Sequence, residues 1–181
     1  MPDSPGRGLS PDGCGALIAD SGPADIAEVA QLKLLPERVG WAAVSGAVAA
    51  GSVAVGLDEE SLAPVRFDPD RDRHLLVFGA AGSGRTTALR TVVEGMLRTR
   101  PTCKFLVVDY RRGLLGAVPE DRLAGYAGSP AVAEPMVAEL AAALRGRLPG
   151  PDVTPERLRA RDWWEGPDIA VVVDDYDLVS G

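Results

Sequence analysis

HLLVFGAAGSGRTTALRTVVEGMLR, residues 74–98, decides the fold. HLLVFG (74–79) is a continuous apolar run, the pattern of a strand buried on both faces. AAGSG then breaks it. In TTALRTVVEGMLR (86–98), Leu89, Val92, Val93, Met96 and Leu97 recur at i, i+3, i+4, i+7 and i+8, the stripe of an amphipathic helix, and Pro101 closes it. The joint between the two is GAAGSGRT, Gly79 to Thr86. It satisfies G-x-x-x-x-G-K-[ST] at every fixed position except Arg85, where Lys is expected, and it has the strand-to-helix setting the motif requires.

The chemistry of such a loop lies in its backbone. Gly79, Gly82 and Gly84 permit a tight turn in which successive amide N–H groups face inward and surround phosphate oxygens. The helix beginning near Arg85 adds its positive dipole end. Candidate nucleotide contacts are therefore Gly79, Ala80, Ala81, Gly82, Ser83, Gly84, Arg85, Thr86 and Thr87, with the Thr86 hydroxyl a candidate Mg²⁺ ligand. The plain alternative is a Gly-rich turn with no ligand. Arg85 is longer, planar and forked where lysine is a compact point charge, so positive charge for binding remains while γ-phosphate geometry changes.

Downstream, KFLVVDY (104–110) reads as a second buried strand. Val137, Leu140, Ala141 and Leu144 repeat the helical spacing, with Pro135 expected in the first turn. Thr154-Pro155-Glu156 supplies a cap, a first-turn proline and an acid for a short helix expected to end near Trp163-Trp164. DIAVVVDDYD (168–177) is a third buried strand ending in acids, the Walker B pattern. Asp174 would hold Mg²⁺, and Asp175 stands where a Glu normally orients the attacking water. A carboxylate set back by one methylene, about an ångström, can cost ~10²-fold when it must align a nucleophile. Arg111 and Arg112 follow the second strand at the end where open sheets bind ligands; an Arg there can meet phosphate or a neighbouring subunit, or pair with Asp109. Trp163 and Trp164 can mark a partner surface or fill a core, Cys103 reads as inert, and His74 as the opening of its strand. Strands alternating with helices predict an α/β domain with a parallel sheet.

Upstream, the pattern weakens. Residues 1–23 are rich in Gly, Pro, Ser and Asp and are expected to be disordered, with no secretory-signal pattern. Residues 24–72 read as a lead-in segment. It has a weak helix over Ala24–Leu35 stopped by Pro36, a short strand around Ser52–Gly56 and another at Pro64–Phe67. GWAAVSGAVAAGSVAVG (40–56) is too short and too rich in Ala, Gly and Ser for a membrane span. Residues 73–181 form the P-loop module.

Composition fits one globular domain: 181 residues, 46% apolar and 25% charged. Acids exceed bases by 26 − 19 = 7, which argues against a general nucleic-acid binder. Residues 1–70 carry 4 basic and 11 acidic side chains, and residues 71–181 carry 15 of each, so the excess acid sits in the first part. Two cysteines, Cys14 and Cys103, and one histidine exclude a disulfide framework and a multi-His metal centre.

Four stretches together resemble a known family. HLLVFG with its loop, VVDYRRGLLGAVPEDRLAGYAGS (107–129), LAAALRGRLPGPDVTPERLRARDWW (140–164) and GPDIAVVVDDYDLVSG (166–181) are similar to the ATPase modules of EccC. EccC is the FtsK/SpoIIIE-type motor of type VII (ESX) secretion systems, and its last module type is the nearest in pattern. The resemblance covers about Leu57 to Gly181 and implies a RecA/FtsK-like parallel sheet with flanking helices. It implies ATP and Mg²⁺ as ligands, with residues 79–87 as the nucleotide loop, Thr86 and Asp174 at the metal, and Asp175 and Arg85 at the catalytic positions. It also implies a cytoplasmic module joined to a membrane secretion complex through partners: other EccC-type modules, secretion components and WXG100-type substrates. In RecA-like folds the strand after Walker B lies between the P-loop and Walker B strands. The chain is therefore expected to be a partial module, truncated after Walker B, with a gap between 74–79 and 169–174. Arg85 and Asp175 together suggest a degenerate site acting in substrate recognition or regulation. The alternatives are an FtsK-like DNA translocase fragment, which the acidic balance disfavours, and a non-enzymatic remnant or interaction module.

Overall fold

Strand β3 (Lys104–Val108) is apolar on both faces, and its Phe105, Leu106, Val107 and Val108 are all buried. That burial needs a neighbour on each side and a helix on each face. β4 (Leu123–Ala127) lies parallel on one side and β5 (Ile169–Val173) parallel on the other, giving the order β4-β3-β5. The computed structural model describes residues 34–45 and 51–179. The disorder expected for 1–23 lies outside them, as does nearly all of the helix expected for 24–35.

Helix α1 (Trp41–Ser45) precedes a hairpin of β1 (Val53–Leu57) and β2 (Pro64–Phe67), which pair antiparallel. Both strands lie within a residue of the short strands expected around Ser52–Gly56 and at Pro64–Phe67. Helix α2 (Arg85–Thr99) turns Val92, Val93 and Met96 onto the Phe105 and Val107 face of β3, together with Val53 of β1. It comes close to β1 at Gly95, where a Cβ would overlap the Val53 side chain. On the opposite face, Val108, Ala127 and Ala133 of α3 (Pro130–Arg145) form a second cluster with Met136 and Val173. Arg100, just past α2, donates to the Gly51 carbonyl at 3.1 Å and pairs with Asp70 at 2.6 Å, tying the hairpin to the helix end. The Arg100 guanidinium bonded to it holds the Asp70 carboxyl below its usual range.

Three local expectations are corrected. Residues 74–79 take no regular secondary structure and belong to no ladder among the described residues, and Leu76 and Phe78 are 74% and 86% exposed. An apolar run signals that burial is available to it, but the neighbour that buries it has to exist. Among the described residues, β5 pairs only with β3 and leaves its other edge open. Pro135 sits inside α3 rather than in its first turn, because Pro130 already takes the first-turn place after Ser129. Helix α4 (Pro155–Ala160) is shorter than expected: Thr154 caps it by accepting from the Arg157 N–H, and Arg161 leaves it in a left-handed conformation (φ 55°) before the tryptophans. Trp163 donates its indole N–H to the Arg147 carbonyl at 2.7 Å and packs edge-on against Trp164.

The turn after β3 is braced by a buried carboxylate. Asp109 is fully buried and accepts from the Gly113 N–H (3.1 Å), the Leu114 N–H (2.6 Å) and the Tyr126 hydroxyl (2.9 Å). It therefore does not pair with Arg111 or Arg112. Burial, with the Asp109 carboxylate as acceptor, pushes the Tyr126 phenol up to about 12.

Hydrogen exchange is expected to find the amides of 105–108 among the slowest in the chain and those of 75–78 among the fastest; protected amides at 75–78 would contradict the open edge. The raised Tyr126 pKa means that folding favours the neutral phenol. Its contribution is complete below the ordinary value of 10.0 and is lost as pH rises through about 12. Phenolate absorbance should show one component near 12 that is missing in Tyr126→Phe.

Candidate functional site

The C-terminal end of the parallel sheet carries a cleft of about 360 Å³ lined by Ala81, Gly82, Gly84, Arg85, Thr86, Thr87, Arg111, Gly113, Asp174 and Asp175. Three chain segments make it. The loop reaches it because Gly82 (φ 76°) and Gly84 (φ 93°) adopt left-handed conformations that side chains disfavour. No side chain caps the start of α2, so its first-turn N–H groups are left to the cleft. Gly79, Ala80 and Ser83 of the predicted loop are not among the lining residues. Ser83 instead closes the turn by donating its N–H to the Ala80 carbonyl at 3.1 Å.

The second segment is the end of β5. The Asp174 N–H continues the ladder by donating to the Val108 carbonyl at 3.0 Å, which fixes its side chain at the sheet's end, buried. The Thr86 hydroxyl donates to Asp174 Oδ2 at 2.7 Å. Asp175 follows in a left-handed conformation (φ 48°, ψ 61°), one that Asp tolerates better than most residues. Its Oδ1 accepts from Arg85 Nη2 at 2.9 Å, and its Oδ2 pairs with Arg111 Nε at 3.2 Å.

The third segment is the turn 109–114, held by Asp109. It brings Arg111 to the cleft and sets Gly113 against Thr86 and Asp174: a Cβ there would lie 2.8 Å from Thr86 Cγ2 and 3.3 Å from Asp174 Oδ2. Arg90 of α2 donates to the Gly113 carbonyl, joining turn and helix. The sequence left Arg111 open between phosphate, a neighbouring subunit and Asp109 and did not single out Gly113 or Arg90. The signal for Arg111 was its place one turn past a strand end; its partner could not be read.

The predicted residues Arg85, Thr86, Asp174 and Asp175 thus converge, although about ninety residues separate the two pairs. The donor set suits a magnesium nucleotide. Mg²⁺ commonly takes one or two protein oxygens, with phosphates and water completing its shell. Thr86 Oγ1 and Asp174 Oδ2 lie side by side next to uncapped N–H groups and two guanidinium groups. Among the described residues, no three His, Cys, Asp or Glu side chains cluster as a metal site on their own, and no helix is long and apolar enough to cross a membrane. Trp163 and Trp164 line no part of the cleft.

No protein-family model matches the chain. The ESX-4 secretion system protein EccC4 of Mycobacterium tuberculosis is 40% identical over 98% of this chain and 16% of that protein. The ESX secretion system protein EccC of Thermomonospora curvata is 37% identical over 82% of this chain and 12% of its own length. The chain thus spans less than a fifth of these relatives. A solved structure of Thermomonospora curvata EccC, ATPases 2 and 3 in complex with a signal sequence peptide, superposes with a TM-score of 0.72 at 35% identity, over 82% of this chain and 27% of that one. These relatives are secretion proteins, and the DNA-translocase alternative is not favoured. Sequence and fold agree, and this chain is a homologue of the EccC ATPases of ESX (type VII) secretion systems, matching a stretch of their ATPase domains.

Proposed function

We propose that this chain is a nucleotide-binding module of an EccC-like, FtsK/SpoIIIE-type secretion ATPase, that it takes ATP with Mg²⁺, and that it is weak in hydrolysis. The observation that carries the reading is the 2.7 Å contact between Thr86 and Asp174, which places a loop hydroxyl and a strand-end carboxylate together in the cleft. Bound MgATP supplies the transferable γ-phosphoryl group and the metal's charge. The backbone N–H groups of 82–86 would receive phosphate oxygens, Thr86 and Asp174 would hold the metal, and Arg85 and Arg111 would balance phosphate charge. Asp175 stands at the position that orients water, but it is one methylene short and engaged by both arginines. Hydrolysis needs these parts together, and their contributions are not additive.

Homology supports a role for the module in protein export. One EccC relative is seen with a signal sequence peptide. We assign this module a part in recognising WXG100-type substrates or in regulating their export, working with other EccC-type modules on the cytoplasmic side of a membrane secretion complex. A non-enzymatic module that binds no nucleotide is the rival, and one titration separates the two.

Calorimetry should detect ADP and ATP binding at millimolar concentration or below. Thr86→Ala should remove the gain in affinity that Mg²⁺ confers. Turnover should stay well under about 1 per second and should not be restored by Arg85→Lys alone. An absence of binding by the folded chain would overturn the reading.

A further inference from the structure

Asp175 lies in the cleft between two guanidinium groups. Its two carboxylate oxygens are each taken by a different guanidinium, Arg85 at 2.9 Å and Arg111 at 3.2 Å. Its side chain is only 11% exposed, while Arg111 is 65% exposed and reaches in from the turn after β3. All three residues line the cleft beside the uncapped start of α2. Planar, forked guanidinium groups bind carboxylate and phosphate oxygens through the same geometry. With Asp174 engaged by Thr86, the four charges of the cleft cancel: two arginines against two aspartates.

We propose that Asp175 is an internal anion plug: its carboxylate occupies the phosphate position between Arg85 and Arg111, and a nucleotide binds by displacing it. The inference rests on the nucleotide-binding reading above. It makes Arg111 a second phosphate-binding cation that becomes available only when Asp175 leaves. The route out is short. Asp175 opens a single 3₁₀ turn, Tyr176–Leu178, in which Tyr176 and Leu178 are exposed, so a change at Asp175 moves little packed structure. The plug also gives a reason for the pair of departures from the P-loop pattern. An arginine at 85 is long and forked enough to reach the strand-end acid and hold it.

The test compares ADP and inorganic pyrophosphate binding, without Mg²⁺, in wild type, Asp175→Asn, Asp175→Ser, Arg111→Gln and the Asp175→Asn/Arg111→Gln double variant. ADP is used because it cannot be trapped by a block in hydrolysis. Asp177→Asn serves as a control that removes the same charge from the exposed turn. Freeing both arginines should tighten ADP and pyrophosphate roughly tenfold in Asp175→Asn and in Asp175→Ser, against less than about twofold in Asp177→Asn. Arg111→Gln should weaken binding little in wild type, where breaking the plug offsets the lost contact. It should weaken binding about tenfold when Asp175 is already Asn, a non-additivity that reports the contact. Equal affinities in wild type and both Asp175 variants, or an equal gain in Asp177→Asn, would overturn the plug and leave nucleotide binding standing. No ADP binding in any folded variant would overturn both.

Discussion

The contact between Thr86 and Asp174 joins residues 88 apart in sequence and links the two main walls of the cleft. Neither side chain is placed by its own segment alone. Asp174 is held by the β3–β5 ladder through its N–H on Val108, and Thr86 is held by α2, whose Val92, Val93 and Met96 pack on Phe105 and Val107. Both halves of the site are therefore keyed to one strand. A slip of one residue in the β3–β5 register would turn Asp174 to the opposite face and separate it from the loop.

Arg85 and Asp175 each read as a loss when considered singly. One replaces a compact ammonium, the other shortens a carboxylate. In the structure they meet each other, with Arg111 as a third member. Asp175 is only 11% exposed and is held from one side by Arg85 and from the other by the largely exposed Arg111. Under the proposed plug, phosphate and carboxylate compete for the same two guanidinium groups.

Burial in the parallel sheet is uneven for a physical reason. β3 has a strand on each side and a helix on each face, and its side chains are sealed. Among the described residues β5 is bonded on one side only, and its Val171 is half exposed. Residues 74–79 are as apolar as either strand, yet they have no ladder partner among the described residues. An unpaired edge of this sort offers N–H and C=O groups to any strand that can align with it.

Local chemistry alone determined several features. The glycine frame of 79–84 requires a left-handed turn, the stripe from Leu89 to Leu97 makes a helix, and the runs at 104–108 and 169–173 make strands, because each is dictated by backbone sterics or by a repeat within a few residues. Spacing also marked Thr86, Asp174 and Asp175 as chemistry-bearing. Only the tertiary structure decided partners. Asp109 turned inward to Gly113, Leu114 and Tyr126, which left Arg111 for Asp175; Gly113 and Arg90 entered the site through packing; and 74–79 stayed exposed. Pairing over 90 residues depends on which strands lie side by side, and a side chain's choice among several nearby charges is made by burial and geometry, neither of which is written in the neighbouring residues.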